Sequence, residues 1–175
     1  MIETPRLILR PWRPTDLEPW AALNADPEVM RYFPSTLTPE ESEAVMARAQ
    51  GHIDEHGFGF WAVERKEDGA FLGFTGLMRL KGDNPLQPGV ETGWRLARHA
   101  WGHGYASEAA AASLKHGFEQ LGLKRIVAFT ATTNLPSQAV MNRIGMTRRQ
   151  DLDFDHPALP KGHPLERHVV WEALP

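Results

Sequence analysis

The stretch from residue 90 to residue 130 constrains the fold more than any other part of the chain. Residues 90–96 alternate between apolar and polar types, a glycine-containing turn follows, and then come a helical pattern and a second apolar run at residues 125–130. A strand, a crossover helix and a second strand in this order form a right-handed unit whose strands are parallel. The chain is therefore expected to contain a mixed sheet with a parallel pair.

The helix of this unit is the clearest helix in the sequence. Its apolar positions recur at intervals of three and four residues and are mostly small, which lets the helix lie close against a sheet. We expect it to end at Gly122, because glycine readily adopts the left-handed conformation that closes a helix. The apolar stripe consists of Ala106, Ala109, Ala110, Ser113, Leu114, Gly117, Phe118 and Leu121.

Two helices are predicted ahead of this unit from their starting signals. Thr15 and Glu18 form one capping-box pattern, and that helix is expected to run to about Asn24. Thr38 and Glu41 form another, with Pro39 at the first helical position, where proline's missing N–H costs nothing. This second helix is expected to run to Gly57.

The remaining elements complete an α+β order with a mixed sheet. A first strand is expected near residues 6–12, and Glu67-Asp68-Gly69 supplies the turn of a hairpin. A short helix is expected at residues 134–144, with Asn134 as its N-cap. The predicted strands of the hairpin and of the C-terminal part span residues 58–64, 70–77, 147–152 and 167–174.

Length and composition exclude several classes of protein. The 175 residues suit a single domain, residues 1–175, and the absence of cysteine excludes disulfides, thiolate metal sites and cysteine nucleophiles. The net charge of −3 and the lack of a basic stripe argue against a nucleic-acid partner. No signal peptide or membrane-spanning run is recognisable, so we expect a cytoplasmic protein without a membrane partner.

The turn between the strand at residues 90–96 and the helix that follows predicts an anion site. Gly102 and Gly104 allow the backbone to turn tightly, and the helix N-terminus adds unsatisfied N–H donors and a partial positive charge. Such a site suits a pyrophosphate. The turn is not a Walker loop, and Ser107 stands where the dinucleotide-binding fingerprint would need a third glycine.

Residues 90–146 resemble the core of the GNAT (GCN5-related N-acetyltransferase) superfamily. The opening segment, residues 2–11, resembles the Rim-type branch, which contains ribosomal-protein N-terminal acetyltransferases. The superfamily motif Arg/Gln-x-x-Gly-x-Gly/Ala is matched by Gly102 and Gly104, whereas its first position is His99. The backbone N–H groups of the turn, here called the cradle, do not depend on that first side chain. The departure therefore changes only what the side chain of residue 99 contributes.

The resemblance implies a mostly antiparallel, twisted sheet with helices on both faces. It also implies acetyl-CoA as co-substrate and a central parallel pair of strands that splay apart around its pantetheine arm. The thioester carbonyl would face a backbone N–H near Arg95 or Leu96, which would act as an oxyanion hole. The positions implied to bind the cofactor are Trp94, Arg95, Leu96, His99, Trp101, Gly102, His103, Gly104, Tyr105, Ala106, Asn134, Ser137 and Arg143.

Glu91 is the candidate general base, because it lies on the strand beside the implied thioester. The alternative is a solvated glutamate or a salt bridge to Arg95. The resemblance implies that Asn134 bonds the pantetheine and that Ser137 approaches the sulfur, although Asn134 is equally explained as a helix cap. Many relatives carry a tyrosine acid where this chain has Met141, so protonation of the leaving thiolate falls to Ser137, to water or to no enzyme group.

The acceptor side is predicted from two segments. The acidic loop around Asp153 and Asp155 would favour a cationic amine, and Tyr32 and Phe33 would line the opposite wall. A solvated acidic turn is the alternative. The eight histidines do not form a metal-binding spacing, so no metal is expected.

These observations favour an N-acetyltransferase that moves acetyl from acetyl-CoA to a primary amine, on a protein or peptide N-terminus or on a small cationic molecule. The alternative is a catalytically weak acyl-CoA-binding or sensing domain that has kept the cradle. The resemblance also makes a homodimer an expected arrangement.

Overall fold

The computed structural model describes residues 1–175 and contains four α-helices around one nine-stranded sheet. The helices are α1 (Leu17–Ala25), α2 (Pro39–His56), α3 (Tyr105–Glu119) and α4 (Leu135–Arg143). The strands are β1 (Ile2–Glu3), β2 (Leu7–Arg10), β3 (Phe60–Arg65), β4 (Phe71–Arg79), β5 (Val90–Leu96), β6 (Ile126–Ala131), β7 (Thr147–Arg148), β8 (Phe154–Asp155) and β9 (Arg167–Ala173).

The sheet order is β1-β2-β3-β4-β5-β6-β9-β7, and β8 pairs with β9. Every neighbouring pair is antiparallel except β5 and β6, which are parallel and joined by the crossover helix α3. The predicted α+β class, the mixed sheet and the central parallel pair are therefore confirmed. The two strands lie next to each other because α3 is long enough to return the chain to the same end of the sheet.

The two faces of the sheet carry different helices. On one face, Gly117 of α3 leaves so little room that an added Cβ would lie 2.6 Å from Ile126 Cδ1 and 2.9 Å from Leu77 Cδ1. This close approach explains the small residues of the predicted stripe. On the opposite face, Trp20 of α1 meets Phe74 of β4 edge-on, with ring centres 5.6 Å apart. Glu91, Gly93 and Arg95 share this second face because they stand opposite Met78, Gly76 and Phe74.

The start of α2 agrees with prediction, and the start of α1 does not. Thr38 Oγ1 accepts from Glu41 N–H at 3.2 Å, and the Glu41 carboxylate accepts in return from Thr38 N–H. At α1, the predicted pair of Thr15 and Glu18 is wrong, because the chain first makes a 3-10 turn over Pro14–Asp16.

The reason lies in Asp16, which is only 2% exposed. Its carboxylate turns inward and accepts two bonds from the guanidinium of Arg10, at 2.7 and 2.8 Å, and one from the Arg13 N–H. Arg10 also donates to Glu64 at 2.6 Å. A buried guanidinium needs such partners, and this requirement decides how the helix begins.

The predicted strand at residues 147–152 is mostly wrong. β7 stops at Arg148, a 3-10 turn follows over Gln150–Leu152, and the short β8 comes next. The side chain of Asp153 explains the interruption, since its carboxylate accepts from the Val170 N–H at 3.0 Å. A side chain thereby takes the place of a backbone carbonyl along β9.

The end of α3 differs slightly from the prediction. The helix stops at Glu119, and Gly122 lies in the connection that follows with a φ of 64°. The positive φ is the property that the prediction rested on. None of the four helices has both the length and the apolar character needed to cross a membrane.

Candidate active site

A gap opens between β5 and β6 where the sheet is parallel. The two strands pair only at Glu91 and Val127, whereas β4 and β5 pair at every position from Gly73–Leu96 to Arg79–Val90. Beyond Glu91, the edge of β5 that faces β6 has no strand partner. An extended chain carrying amide groups can bond to such an edge, as a strand would.

The turn after β5 presents backbone N–H groups to one point. Gly102 and Gly104 have φ values of 79° and 78°, a conformation that side-chain-bearing residues rarely adopt. The N–H groups of residues 102–107 donate to no backbone carbonyl, and Gly104 provides no side-chain cap for α3. These free donors at the helix N-terminus fit a pyrophosphate.

Four side chains predicted for the cofactor surround this turn. His99 and His103 are exposed, and His103 stacks on Tyr105 with ring centres 5.4 Å apart. Tyr105 is buried, so it anchors the turn to the core. Trp101 is 42% exposed and its indole donates to the Leu96 carbonyl at 2.9 Å, which holds a large apolar surface at the mouth of the gap.

Sequence reasoning missed the residues that hold the turn in place. Glu108, in the first turn of α3, accepts from Thr4 Oγ1 at 2.6 Å and from the Arg6 N–H at 2.9 Å. Arg6 also donates to the His103 carbonyl at 2.9 Å. The only signal in the sequence was the opening segment itself, which carried the Rim-type resemblance but no geometry.

Helix α4 brings three predicted residues to the other side of the gap. Asn134 caps the helix, accepting from Ser137 N–H at 3.3 Å, and its amide donates to Thr130 at 2.8 Å. Ser137 is partly exposed at the same helix start. Arg143 donates to Ser107 Oγ at 2.9 Å, so its exposed guanidinium stands beside the first turn of α3.

Glu91 lies where the gap begins, because it is the one β5 residue that pairs with β6. It forms no salt bridge, and the alternative pairing with Arg95 is absent because Arg95 donates to Asn24 instead. Burial raises the pKa of Glu91 to about 7. A carboxylate with that pKa can accept a proton near neutral pH and release it again.

The last residues of β5 divide between the two faces. Trp94 and Leu96 point toward α3 and pack against the core. Arg95 points to the opposite face, so its side chain lies away from the cradle and only its backbone can serve the cofactor gap. Its guanidinium carbon lies 4.1 Å from the centre of the Phe33 ring.

The acceptor residues predicted from sequence fall into two groups. Phe33 is 38% exposed, and its ring contacts the guanidinium of Arg95. The guanidinium carbon of Arg31 lies 4.7 Å from the centre of the neighbouring Tyr32 ring. The carboxylates of the acidic loop are already occupied. Asp153 binds Arg148 through both oxygens, and Asp155 binds Arg167 at 3.1 Å.

Other candidate groups have structural roles. Met141, at the position where relatives carry a tyrosine, is buried in the core. His52 is buried, with Nδ1 at 2.7 Å from the Phe58 carbonyl and Nε2 accepting from the Arg79 N–H at 3.2 Å. No group of three or more histidine, aspartate or glutamate side chains is placed to hold a metal ion.

The sequence and the fold match those of known proteins. Residues 6–147 match the family described as Acetyltransferase (GNAT) domain. Over 163 residues the chain is 32% identical to the uncharacterized N-acetyltransferase YnaD of Bacillus subtilis, covering 93% of this chain and 89% of that protein. Over 168 residues it is 30% identical to the FsC-acetyl coenzyme A-N(2)-transacetylase of Aspergillus fumigatus, covering 92% and 71%.

A solved structure gives the same result. The GNAT-family acetyltransferase from Bacillus anthracis superposes with a TM-score of 0.82 at 28% identity, covering 99% of this chain and 97% of that one. The family match, the relatives and the solved structure agree with one another. The chain therefore belongs to the GNAT family of acetyltransferases.

Proposed function

We propose that this acetyltransferase moves the acetyl group of acetyl-CoA to a primary amine by direct attack within a ternary complex. The single observation that carries the proposal is Glu91, an unpaired carboxylate with a pKa of about 7 at the point where β5 and β6 part. A base at that position faces both the gap for the thioester and the face of the sheet that carries α1 and α2.

The residues that bind acetyl-CoA in this proposal are those around the gap. The free N–H groups of residues 102–107 hold the pyrophosphate, with Arg143 adding charge from α4. The unpaired edge of β5 binds the pantetheine amides, and a backbone N–H near Arg95 or Leu96 polarises the thioester carbonyl. The exposed indole of Trp101 flanks the mouth of the gap.

In the reaction, an ammonium group first gives its proton to Glu91, directly or through a water molecule. The free amine nitrogen then attacks the thioester carbonyl carbon, a C–N bond forms and the C–S bond breaks. As the tetrahedral intermediate collapses, the nitrogen loses its second proton, and Ser137 or a water molecule passes that proton to the leaving thiolate. The products are the amide and the free CoA thiol, and Glu91 returns its proton to solvent. No covalent enzyme intermediate is involved, which suits a chain without cysteine.

The N-terminal segment and the walls of the acceptor side indicate the class of acceptor. The likeness of residues 2–11 to the Rim-type branch favours an α-amine at a protein or peptide N-terminus, and a small amine is the other candidate. Tyr32 and Phe33 form one wall of the acceptor side in both cases. Asp153 and Asp155 contribute shape to the wall rather than free charge, since both are paired with arginine.

A catalytically weak acyl-CoA-binding domain is the second candidate, and Met141 favours it because a methionine cannot donate the proton that a tyrosine acid would supply from that position. Release of free CoA thiol in the presence of a panel of primary amines distinguishes the two. We expect amine-dependent thiol release by the protein, reduced strongly in a Glu91→Gln variant. Binding of acetyl-CoA without thiol release from any amine would support the sensing function instead.

A further inference from the structure

The positively charged side chain of Arg95 lies among aromatic rings and has no carboxylate partner. Its guanidinium carbon lies 4.1 Å from the centre of the Phe33 ring, 5.4 Å from that of Trp20 and 5.7 Å from that of Phe74. Nη1 donates to the amide oxygen of Asn24 at 2.7 Å, and the buried Nε has no partner. Burial lowers the pKa of Arg95 to about 10, and no carboxylate offsets this effect.

The contrast with Arg10 shows what is missing. Arg10 is buried, and two carboxylates, those of Asp16 and Glu64, surround it at 2.6 to 2.8 Å, whereas the partly buried Arg95 has no carboxylate partner. Arginine is rarely withdrawn from water without such pairing, because its charge then loses hydration without compensation. The protein supplies Arg95 with aromatic faces and one neutral amide, so an anion from outside the chain would complete the site.

A cleft of about 210 Å³ lies against this guanidinium, on the face of the sheet that carries α1 and α2. Its walls are mostly apolar, and Trp12, Phe60 and Phe74 provide aromatic surface. The only charged residues that line it are Arg48 and Arg95. A ligand that fits this cleft therefore combines an apolar body with a negative group.

The register of β4 and β5 places the cleft next to Glu91, the proposed base. Met78, which lines the cleft, stands directly opposite Glu91 across the pairing of β4 and β5. Glu91 and Arg95 lie on the same face, four residues apart along β5. At a rise of about 3.3 Å per residue their Cα atoms are about 13 Å apart.

We propose that Arg95 binds a carboxylate of the acceptor, so that the acceptor is a primary amine whose apolar body carries a carboxylate at its far end. The inference rests on the proposed acetyltransferase activity and adds its substrate class. The amine would lie toward Glu91, the apolar body would contact the aromatic walls, and the carboxylate would reach the guanidinium. A negatively charged group on the acceptor differs from the cationic acceptor expected from the acidic loop. The carboxylates of that loop are already paired with Arg148 and Arg167.

The test compares acceptors that differ only in the anion. Acetylation of p-(aminomethyl)benzoate, of its neutral amide and of the matching phosphonate is measured as kcat/KM at saturating acetyl-CoA. We expect the carboxylate to be preferred over the amide by about 10- to 100-fold, the effect of one charged hydrogen-bonding contact. The preference should fall to about one in Arg95→Met and persist in Arg79→Met, which removes an exposed guanidinium at the end of β4.

The wild-type ratio alone can overturn the inference, whether or not Arg95→Met folds. Equal or faster turnover of the amide would show that no anion is recognised, while leaving the acetyltransferase activity intact. A preference for the phosphonate over the carboxylate would show that the anion is a phosphoryl group and that the carboxylate assignment is wrong. Absence of thiol release with every amine would overturn the proposed function, and this inference with it.

Discussion

The carboxylate of Glu108 and the guanidinium of Arg6 meet at 2.6 Å, joining the N-terminal segment to the first turn of α3. Arg6 also donates to the carbonyl of His103, inside the turn that presents free N–H groups. The guanidinium stacks on Tyr105 as well, 4.7 Å from its ring centre. The two ends of a segment more than one hundred residues long are thereby fixed at the proposed pyrophosphate site.

Replacement of Arg6 by glutamine should weaken acetyl-CoA binding without abolishing it. One or two hydrogen bonds that hold the turn are lost, at about 1 kcal/mol each, so the dissociation constant should rise about fivefold to thirtyfold. Calorimetry measures the change. Arg13→Gln is the control, because it removes an exposed guanidinium paired with Glu64 at 2.9 Å, away from the turn. Equal weakening in both variants would mean that Arg6 acts only through overall charge.

Glu91→Gln tests the base directly. The variant keeps the size of the side chain and removes its ability to accept a proton, so kcat/KM for the amine should fall by about 10²- to 10⁴-fold. Acetyl-CoA binding should be unchanged. Glu43→Gln, on the exposed side of α2, serves as the control and should keep full activity. Activity close to wild type in Glu91→Gln would remove Glu91 from the mechanism.

The raised pKa of Glu91 predicts two opposite pH effects. The rate should increase as pH rises through about 7, because only the ionised carboxylate accepts the proton. The stability should decrease as pH rises from about 4.5, the ordinary pKa of the group, to about 7, because over this range only the folded state keeps the proton on Glu91. Glu91→Gln should therefore melt at a higher temperature than wild type above pH 7. A melting temperature that stays lower than wild type at every pH would contradict this account.

The buried pairing of Asp16 with Arg10 should dominate over surface pairs in stability. Asp16→Asn leaves the guanidinium with less compensation, and the free energy of unfolding should fall by about 3–5 kcal/mol. Asp155→Asn breaks an exposed pair, in which the Arg167 and Asp155 side chains are 53% and 62% exposed, and should cost less than about 1 kcal/mol. Denaturant titration of both variants measures the difference. Similar losses would show that burial does not set the strength of these pairs.

His52 should make the protein acid-sensitive. Burial lowers its pKa in the folded state, so its contribution to stability is present above the unfolded value of about 6.5 and is lost as pH falls below it. We expect the slope of unfolding free energy between about pH 6.5 and 5 to be shallower in His52→Gln than in wild type. The exposed His99→Gln is the control and should keep the wild-type slope. An unchanged slope in His52→Gln would assign the acid sensitivity to other groups.

The backbone features of the site were accessible from sequence because each depends on short-range chemistry. Gly102 and Gly104 signal a turn that other residues rarely adopt, and the stripe on α3 signals close packing. The parallel pair followed from the order of elements alone. The inward turn of Asp16 could not be predicted, since its partners Arg10 and Glu64 come together only in the folded sheet.

The charges of the site were the least predictable part. An acidic loop containing Asp153 and Asp155 indicates negative potential only while its partners are unknown, and those partners, Arg148 and Arg167, occupy neighbouring strands. Arg95 presented the opposite problem. Arg95 lies on the same face of β5 as Glu91, so the sequence allowed a salt bridge between them. In the structure, the Arg95 guanidinium donates to Asn24 of α1 instead.

Calorimetric titration with acetyl-CoA measures whether the turn at residues 102–107 binds the cofactor. The wild-type protein should bind with a dissociation constant in the micromolar range, and Gly104→Trp should not bind, because the indole would occupy the approach to the free N–H groups. Gly122→Trp is the matched control, since Gly122 has a similarly positive φ of 64° and open space around it at the far end of α3. Binding by wild type and Gly122→Trp alone would establish the cradle. Absence of binding by the wild-type protein, or equal binding by a folded Gly104→Trp variant, would contradict the account.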